Sequence, residues 1–357
     1  MSFDRVVKLL LVFVPVALVA DFVLHLDPVL IFIFAALAVI PLADLVGEAT
    51  EELAVYTGPK IGGLLNATLG NAAELIITIF AIHEGLIDLV KASIIGSILG
   101  NLLLVLGFSI LIGGLKNGLQ TFDRRTAGLN ATMLILVVVA LMVPSLFDAA
   151  IQDNLAAELG LSEGVAVVMI IIYGLSVLYT FSGGAGTSRE AAHHEAKWKP
   201  RFAIGVLVVA TLGIVFMSEI LVGAVEPVTE QLGLTEFFIG IIIIPLVGNV
   251  AEHLVAVQVA IKNKMELSLA VSLGSSLQIA LFVAPVLVFV SLLMGGETLL
   301  LVFNTFELVA VTAAALVAAF IALDGESNWL EGAMLLAVYL MIALAFYFLP
   351  AVNALPH

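Results

Sequence analysis

Cysteine is absent from this 357-residue sequence, which excludes disulfides and thiolate metal sites. Charge is scarce as well. Asp, Glu, Lys and Arg make up 11% of the chain, against about 25% in soluble domains, which need that charge to solvate a surface. Basic residues are the rarest of these, 13 against 28 acidic ones, and the net charge of -15 offers no basic patch for nucleic acid. No polar loop is long enough to form a separate soluble domain. The segment after Arg5 and Lys8 runs to Asp21 and His25 without a small-residue cleavage site, so it reads as a first membrane helix, not a removable signal.

What the chain does have is 62% hydrophobic residues, grouped in stretches of the roughly 20 residues that span a bilayer as a helix. Charged and Pro/Gly-rich punctuation divides them into 11 predicted helices: 7–25, 30–56, 61–82, 88–114, 125–147, 163–181, 202–224, 237–261, 267–294, 300–322 and 329–349. The expected fold is therefore an all-α integral membrane protein. With the N-terminus in the cytoplasm and one crossing per helix, 12 of the 13 basic residues fall on the cytoplasmic side, Lys91 being the exception. The external loops instead carry Asp148, Asp153, Glu158, Glu163, Glu226, Glu230 and Glu297. The C-terminus is then external.

One motif occurs twice. Gly70-Asn71-Ala72-Ala73-Glu74 returns as Gly248-Asn249-Val250-Ala251-Glu252, an offset of 252 − 74 = 178 residues. The offset holds for Glu48 and Glu226, Glu52 and Glu230, Gly62 and Gly240, Gly96 and Gly274, and Ser97 and Ser275. Five helices separate the copies, and an odd number inverts the second relative to the first. The chain divides into helix 1 (1–27), a first repeat (28–181, helices 2–6), a cytoplasmic linker (182–201) and a second, inverted repeat (202–357, helices 7–11). Glu74 stands about 14 residues, roughly 21 Å, from the cytoplasmic end of its helix, and Glu252 about 10 residues, roughly 15 Å. Both depths are near the middle of a ~30 Å hydrocarbon core, where a charge costs about 2.5–3.5 kcal/mol and needs a function or a partner.

On a continuous helix Gly70, Asn71 and Glu74 share one side, as do Gly248, Asn249 and Glu252. Glycine lets another backbone approach or the helix loosen, asparagine supplies a neutral oxygen, and glutamate supplies charge. Carboxylate and amide oxygens without sulfur form a hard-cation set suited to Ca2+. Glu74, Glu252, Asn71 and Asn249 are the expected ligands, with Gly70 and Gly248 beside them. Ser97 and Asn101 in the first repeat, and Ser275 and Gln278 in the second, either complete the oxygen shell or hydrogen-bond to the facing helix. Gly96 and Gly100 also have the spacing of close helix packing. His253 is placed to relay or sense protons. Glu48, Glu52, Glu226 and Glu230, near the external side or partway into helices 2 and 7, are candidates for guiding ions; helix 2 buries Asp44, Glu48, Glu51 and Glu52. His193 and His194 read as loop residues.

GNAAELIITIFAI and GNVAEHLVAVQVA resemble the paired signature repeats of the cation/proton exchanger family, and GSILGN and GSSLQIALFVAP resemble its following helices, over residues 28–350. Sodium/calcium exchangers are similar in layout but use a Gly-Thr-Ser/Pro-Glu pattern that neither repeat has. The resemblance implies H+/Ca2+ antiport, with Glu74 and Glu252 as the central acids, His253 as the second-motif histidine, and the proton as counter-ion. Two departures stand out: the linker holds only Glu190 and Glu195 against four basic residues, and the long N-terminal tail of plant members is missing, as expected of a prokaryotic chain. The expected activity is alternating-access exchange in the cell inner membrane, not enzyme catalysis, without cofactor, with Ca2+ and H+ as substrates and lipid as surroundings. Na+/Ca2+ exchange and a passive cation channel are the alternatives, and a homo-oligomer is left open.

Overall fold

A computed structural model describes residues 7–151, 154–181 and 196–349, and the side chains of all these except 59, 60, 63, 64, 66, 67, 181 and 251. Most of the linker, with Glu190, Glu195, His193 and His194, lies outside the described residues. Among the described residues the secondary structure is helical apart from one ribbon of two-residue strands. A 3-10 turn at Leu10–Val12 leads into α1 (Phe13–Phe22), and α2 (Pro28–Leu69) follows. α2 bends at Gly58, whose φ of 81° is available to glycine and which precedes a proline, a position disfavouring helix. Next come α3 (Ala72–His83), α4 (Ile87–Asn117), α5 (Arg124–Ile151) and α6 (Leu155–Phe181). The second half begins with α7 (Pro200–Gly223) and α8 (Val225–Leu232). It continues with α9 (Glu236–Gly248), α10 (Val250–Ile261), α11 (Met265–Met294), α12 (Thr305–Asp324) and α13 (Trp329–Tyr347).

Eight helices among the described residues are long and apolar enough to cross a membrane, and the α9–α10 pair, bent by 61°, is a ninth if counted as one span. The other two predicted spans differ from expectation. The first is interrupted by the 3-10 turn at Leu10–Val12, with α-helix on both sides of it, and 61–82 is two pieces, the distal limb of α2 and α3. The expected continuous helix 237–261 is likewise broken. Both breaks fall at the Gly-Asn pair, where Asn71 (φ −100°, ψ 24°) and Asn249 (φ −104°, ψ 4°) leave helical geometry.

The repeat seen in the sequence recurs in the element bounds. α3 (72–83) and α10 (250–261) are offset by 178 residues at both ends (250 − 72 and 261 − 83), and α4 and α11 by 178 at their starts (265 − 87). The turn between them is left-handed at equivalent positions, Gly85 (φ 78°) and Asn263 (φ 59°). Both long helices carry a π-helical stretch, Gly100–Val105 and Ile279–Val283, a distortion frequent at functional sites.

α2 packs along α7, α4 against α13, α9 and α10, and α5 against α12. α4 is the most enclosed helix, whereas α6 and α13 present most of their apolar surface outward. Gln120–Thr121 and Glu326–Ser327 form the antiparallel ribbon, and the Gln120 side chain donates to Ala260 O at 3.0 Å and to Asn263 Oδ1 at 3.0 Å, tying down the C-terminal end of α10.

Candidate cation site

A broken helix has two free ends, and the two Gly-Asn breaks bring four such ends to the site. The limbs ending at Leu69 and Gly248 present the carbonyl ends of helices, while α3 and α10 present N–H ends and the positive end of a helix dipole. Glu74 and Glu252 each lie in the first turn of the new helix. A carboxylate there is favoured electrostatically without a basic partner, which is how two acids are accommodated in apolar surroundings.

The two motifs touch. Gly248 lies against the Glu74 side chain, so that a Cβ at 248 would stand 3.0 Å from Glu74 Cγ. Of the two expectations for glycine, a close backbone or a loosened helix, the helix does break here, and what approaches Gly248 is the opposite repeat's Glu74 side chain. Asn249 and Ser97 flank the same carboxyl. Glu252 accepts a hydrogen bond from Ser275 Oγ.

The asparagines are oriented across the repeats. Asn71 donates through Nδ2 to Gln278 Oε1 at 2.7 Å. Asn249 donates through Nδ2 to Ser97 Oγ at 3.3 Å and to Pro245 O at 3.1 Å. Although both asparagines occupy the residue before a helix, neither side chain caps it. With the amide donors engaged, the oxygens are left over. Asn71 Oδ1, Asn249 Oδ1 and Glu74 Oε1 are buried and have no donor, in residues no more than 2% exposed. Three orphaned oxygens would ordinarily cost a few kcal/mol of desolvation each. Buried oxygens that no N–H reaches are the kind of ligand a metal ion satisfies. Among the described residues no group of three His, Cys, Asp or Glu side chains could hold a metal ion.

A cleft of about 280 Å³ opens beside this arrangement, lined by Gly70, Gly248 and Glu252 at depth and by Asp44, Glu48 and Glu51 on α2. Lys8 lines it too and pairs with Glu48 at 2.9 Å. Helix 2 was expected to bury Asp44, Glu48, Glu51 and Glu52, but only Glu52 is buried; Asp44 and Glu48 are half-buried and Glu51 is exposed, because the i, i+4, i+7 spacing of these three sets them on the face that lines the cleft.

The remaining candidates divide. Ser97, Ser275 and Gln278 contact site residues directly. Asn101 is buried in the π-helical stretch, with Nδ2 unpartnered. His253 is half-buried on α10 next to Glu252. Gly96 fits the close-packing expectation, since a Cβ there would overlap the Ile241 carbonyl, but Gly100 has open space around it and does not.

The four candidate access acids are not on one side. Glu48 pairs with Lys8, and Glu52 accepts from the Trp198 backbone N–H at 2.9 Å, while Tyr56 donates to Trp198 O at 2.7 Å. Glu48 and Glu52 thus lie on the face that holds Lys8 and Trp198. Glu52 anchors the chain entering α7 and does not line the cleft. Glu226 and Glu230 are exposed on α8, whose Gln231 binds Asp27 at the other end of α2. The expectation set all four near the external side or partway into helices 2 and 7; they separate because Asp27, which meets α8, and Glu52 stand at opposite ends of the long α2.

The family described as sodium/calcium exchanger protein matches residues 28–182 and 202–348, both repeats. The Ca(2+)/H(+) antiporter of Aphanothece halophytica is 47% identical over 362 residues, covering 96% of each chain. The Ca(2+)/H(+) antiporter ChaA of Bacillus subtilis is 42% identical, covering 94% of this chain and 97% of that one. Among solved structures, native YfkE superposes with a TM-score of 0.85 at 41% identity, covering 96% of this chain and all of that one. The H+/Ca2+ exchanger CAX shares the fold with a TM-score of 0.78 at 18% identity.

Proposed function

The chain belongs to the sodium/calcium exchanger protein family, and on that premise we propose that it exchanges Ca2+ for H+ across the membrane by alternating access. The observation that carries this reading is the set of orphaned oxygens on Asn71, Glu74 and Asn249 beside Glu252. Relatives named as Ca(2+)/H(+) antiporters, similar over nearly their full length, support the pairing of ions.

Glu74 and Glu252 bind either the cation or protons. Two buried carboxylates resist being ionised together, so an empty, doubly charged site is avoided. A divalent cation relieves the repulsion and releases protons; protons in turn neutralise the acids and release the cation. The site alternates between these two loads, and the fluxes are coupled. Asn71 and Asn249 supply neutral oxygen to the cation, with their amide groups held by Gln278 and Ser97.

The cleft gives Glu252 access from the Lys8 face, the cytoplasmic one by the distribution of basic residues. Exposing the site to the other face requires the peripheral α1, α2 and α7 to move against α3, α4, α10 and α11. The protein acts as a multi-pass protein of the plasma membrane, N-terminus inside.

Purified protein in sealed proteoliposomes tests this. An imposed pH gradient is expected to drive Ca2+ uptake against its own gradient, and Glu74→Gln to abolish it. Uptake that only follows the Ca2+ gradient would mean a channel, and uptake that follows a Na+ gradient at fixed pH would mean Na+ exchange.

A further inference from the structure

We propose that Lys8 is a tethered cation in the mouth of the cleft, competing with the incoming divalent ion for the acids that lead it to Glu252. The proposal rests on the exchange reading above. Asp44, Glu48 and Glu51 occupy one face of α2 and line the same cleft that has Gly70, Gly248 and Glu252 at its deep end. Gly248 lies against the Glu74 side chain, whose Oε1 is buried without a donor, so the acidic wall leads toward an oxygen that a cation would satisfy. Lys8 enters from the turn before α1, and its Nζ lies 2.9 Å from Glu48 Oε2.

The Lys8 and Glu48 side chains are 43% and 31% exposed, and so open an ion pair adds little to stability. Its effect on the potential of the cleft is larger. A cleft focuses the field of its lining charges, and the Lys8 ammonium offsets part of the charge of Asp44, Glu48, Glu51 and Glu252. An ammonium on a four-carbon stem leaves and returns easily. A divalent ion displaces it from Glu48 more readily than a monovalent ion does, because the Coulomb attraction scales with charge. Lys8 therefore raises the concentration at which any cation occupies the cleft and raises it most for monovalent ions. Lys8 lies outside both repeats, so the device acts on one face only.

The test uses initial rates of pH-driven 45Ca2+ uptake in sealed membrane vesicles of both orientations, with wild type, Lys8→Met and Lys8→Arg. Lys8→Met is expected to lower KM for Ca2+ about threefold to tenfold at low ionic strength, in one orientation only. The gain should shrink in 0.3 M salt, where the screening length is about 6 Å, and inhibition by added K+ should increase. Lys8→Arg should keep the wild-type KM. An unchanged KM in Lys8→Met with normal wild-type uptake would overturn the Lys8 assignment alone. So would a raised KM or lowered maximal rate in both orientations, the result of losing a mere structural tether. Absence of pH-driven uptake by wild type would overturn the exchange reading, and this proposal with it.

Discussion

Gly248 of the second repeat is the wall against which the Glu74 side chain of the first repeat rests, 3.0 Å separating Glu74 Cγ from the place a Cβ at 248 would take. The site is thus built from contact between repeats, and a methyl group at this point pushes directly on a cation-binding acid. Gly248→Ala should leave a folded protein, because Glu74 can yield by a few tenths of an ångström. Its apparent Ca2+ affinity should fall about tenfold, corresponding to about 1.4 kcal/mol. Calcium titration followed by thermal shift in detergent checks this; an affinity within twofold of wild type would count against the contact.

Glu74→Gln separates function from stability. Removing a buried charge relieves desolvation, so the variant should unfold at or above the wild-type temperature while pH-driven Ca2+ uptake disappears. A variant that is inactive because it unfolds would show a lowered transition instead.

The two asparagine orienters should differ in weight. Asn71 has Gln278 as its recorded amide partner, whereas Asn249 keeps the Pro245 carbonyl even without Ser97. Gln278→Leu should raise the KM for Ca2+ by about tenfold or more, and Ser97→Ala by less, given about 1–3 kcal/mol for a buried donor left unpaired. Equal effects would mean that both side chains bind the ion themselves.

Protons and Ca2+ share two carboxylates in the proposed cycle. Apparent Ca2+ affinity should therefore fall as pH is lowered from 8 to 6, with the maximal binding signal unchanged. Equilibrium binding of 45Ca2+ to detergent-solubilised protein measures it, and affinity independent of pH would break the coupling.

Two glycines one turn apart should behave oppositely on substitution. A Cβ at Gly96 meets the Ile241 backbone of α9, whereas one at Gly100 meets nothing within 4 Å. Gly96→Ala should cost about 1–3 kcal/mol through overpacking, and Gly100→Ala should cost little. Thermal unfolding of the two purified variants gives the comparison.

Much of the site was legible in the chain. Glu74 and Glu252, with their asparagines, stand out because an ionised group in an apolar stretch is costly and its recurrence at a fixed offset is improbable by composition. The offset also reaches the element bounds, down to the left-handed turn at Gly85 and Asn263. The broken helices were only half legible: glycine suggested loosening, but treating 61–82 and 237–261 as continuous put Asn71 and Asn249 inside helices, not at their starts. Glu52 was misread because its partner, the Trp198 backbone, is 146 residues away and leaves no periodic trace.

By itself, the sequence determined the membrane class, the duplication and the two acidic motifs, since burial cost, helical period and repeat offset act on neighbouring or identical residues. The tertiary structure alone decided that Gly248 faces Glu74, that Gln278 and Ser97 turn the amides of Asn71 and Asn249, and that Lys8 sits among the cleft acids. Those are contacts between distant segments, set by how helices of two repeats pack, and no local pattern of hydrophobicity or charge encodes which side chain meets which.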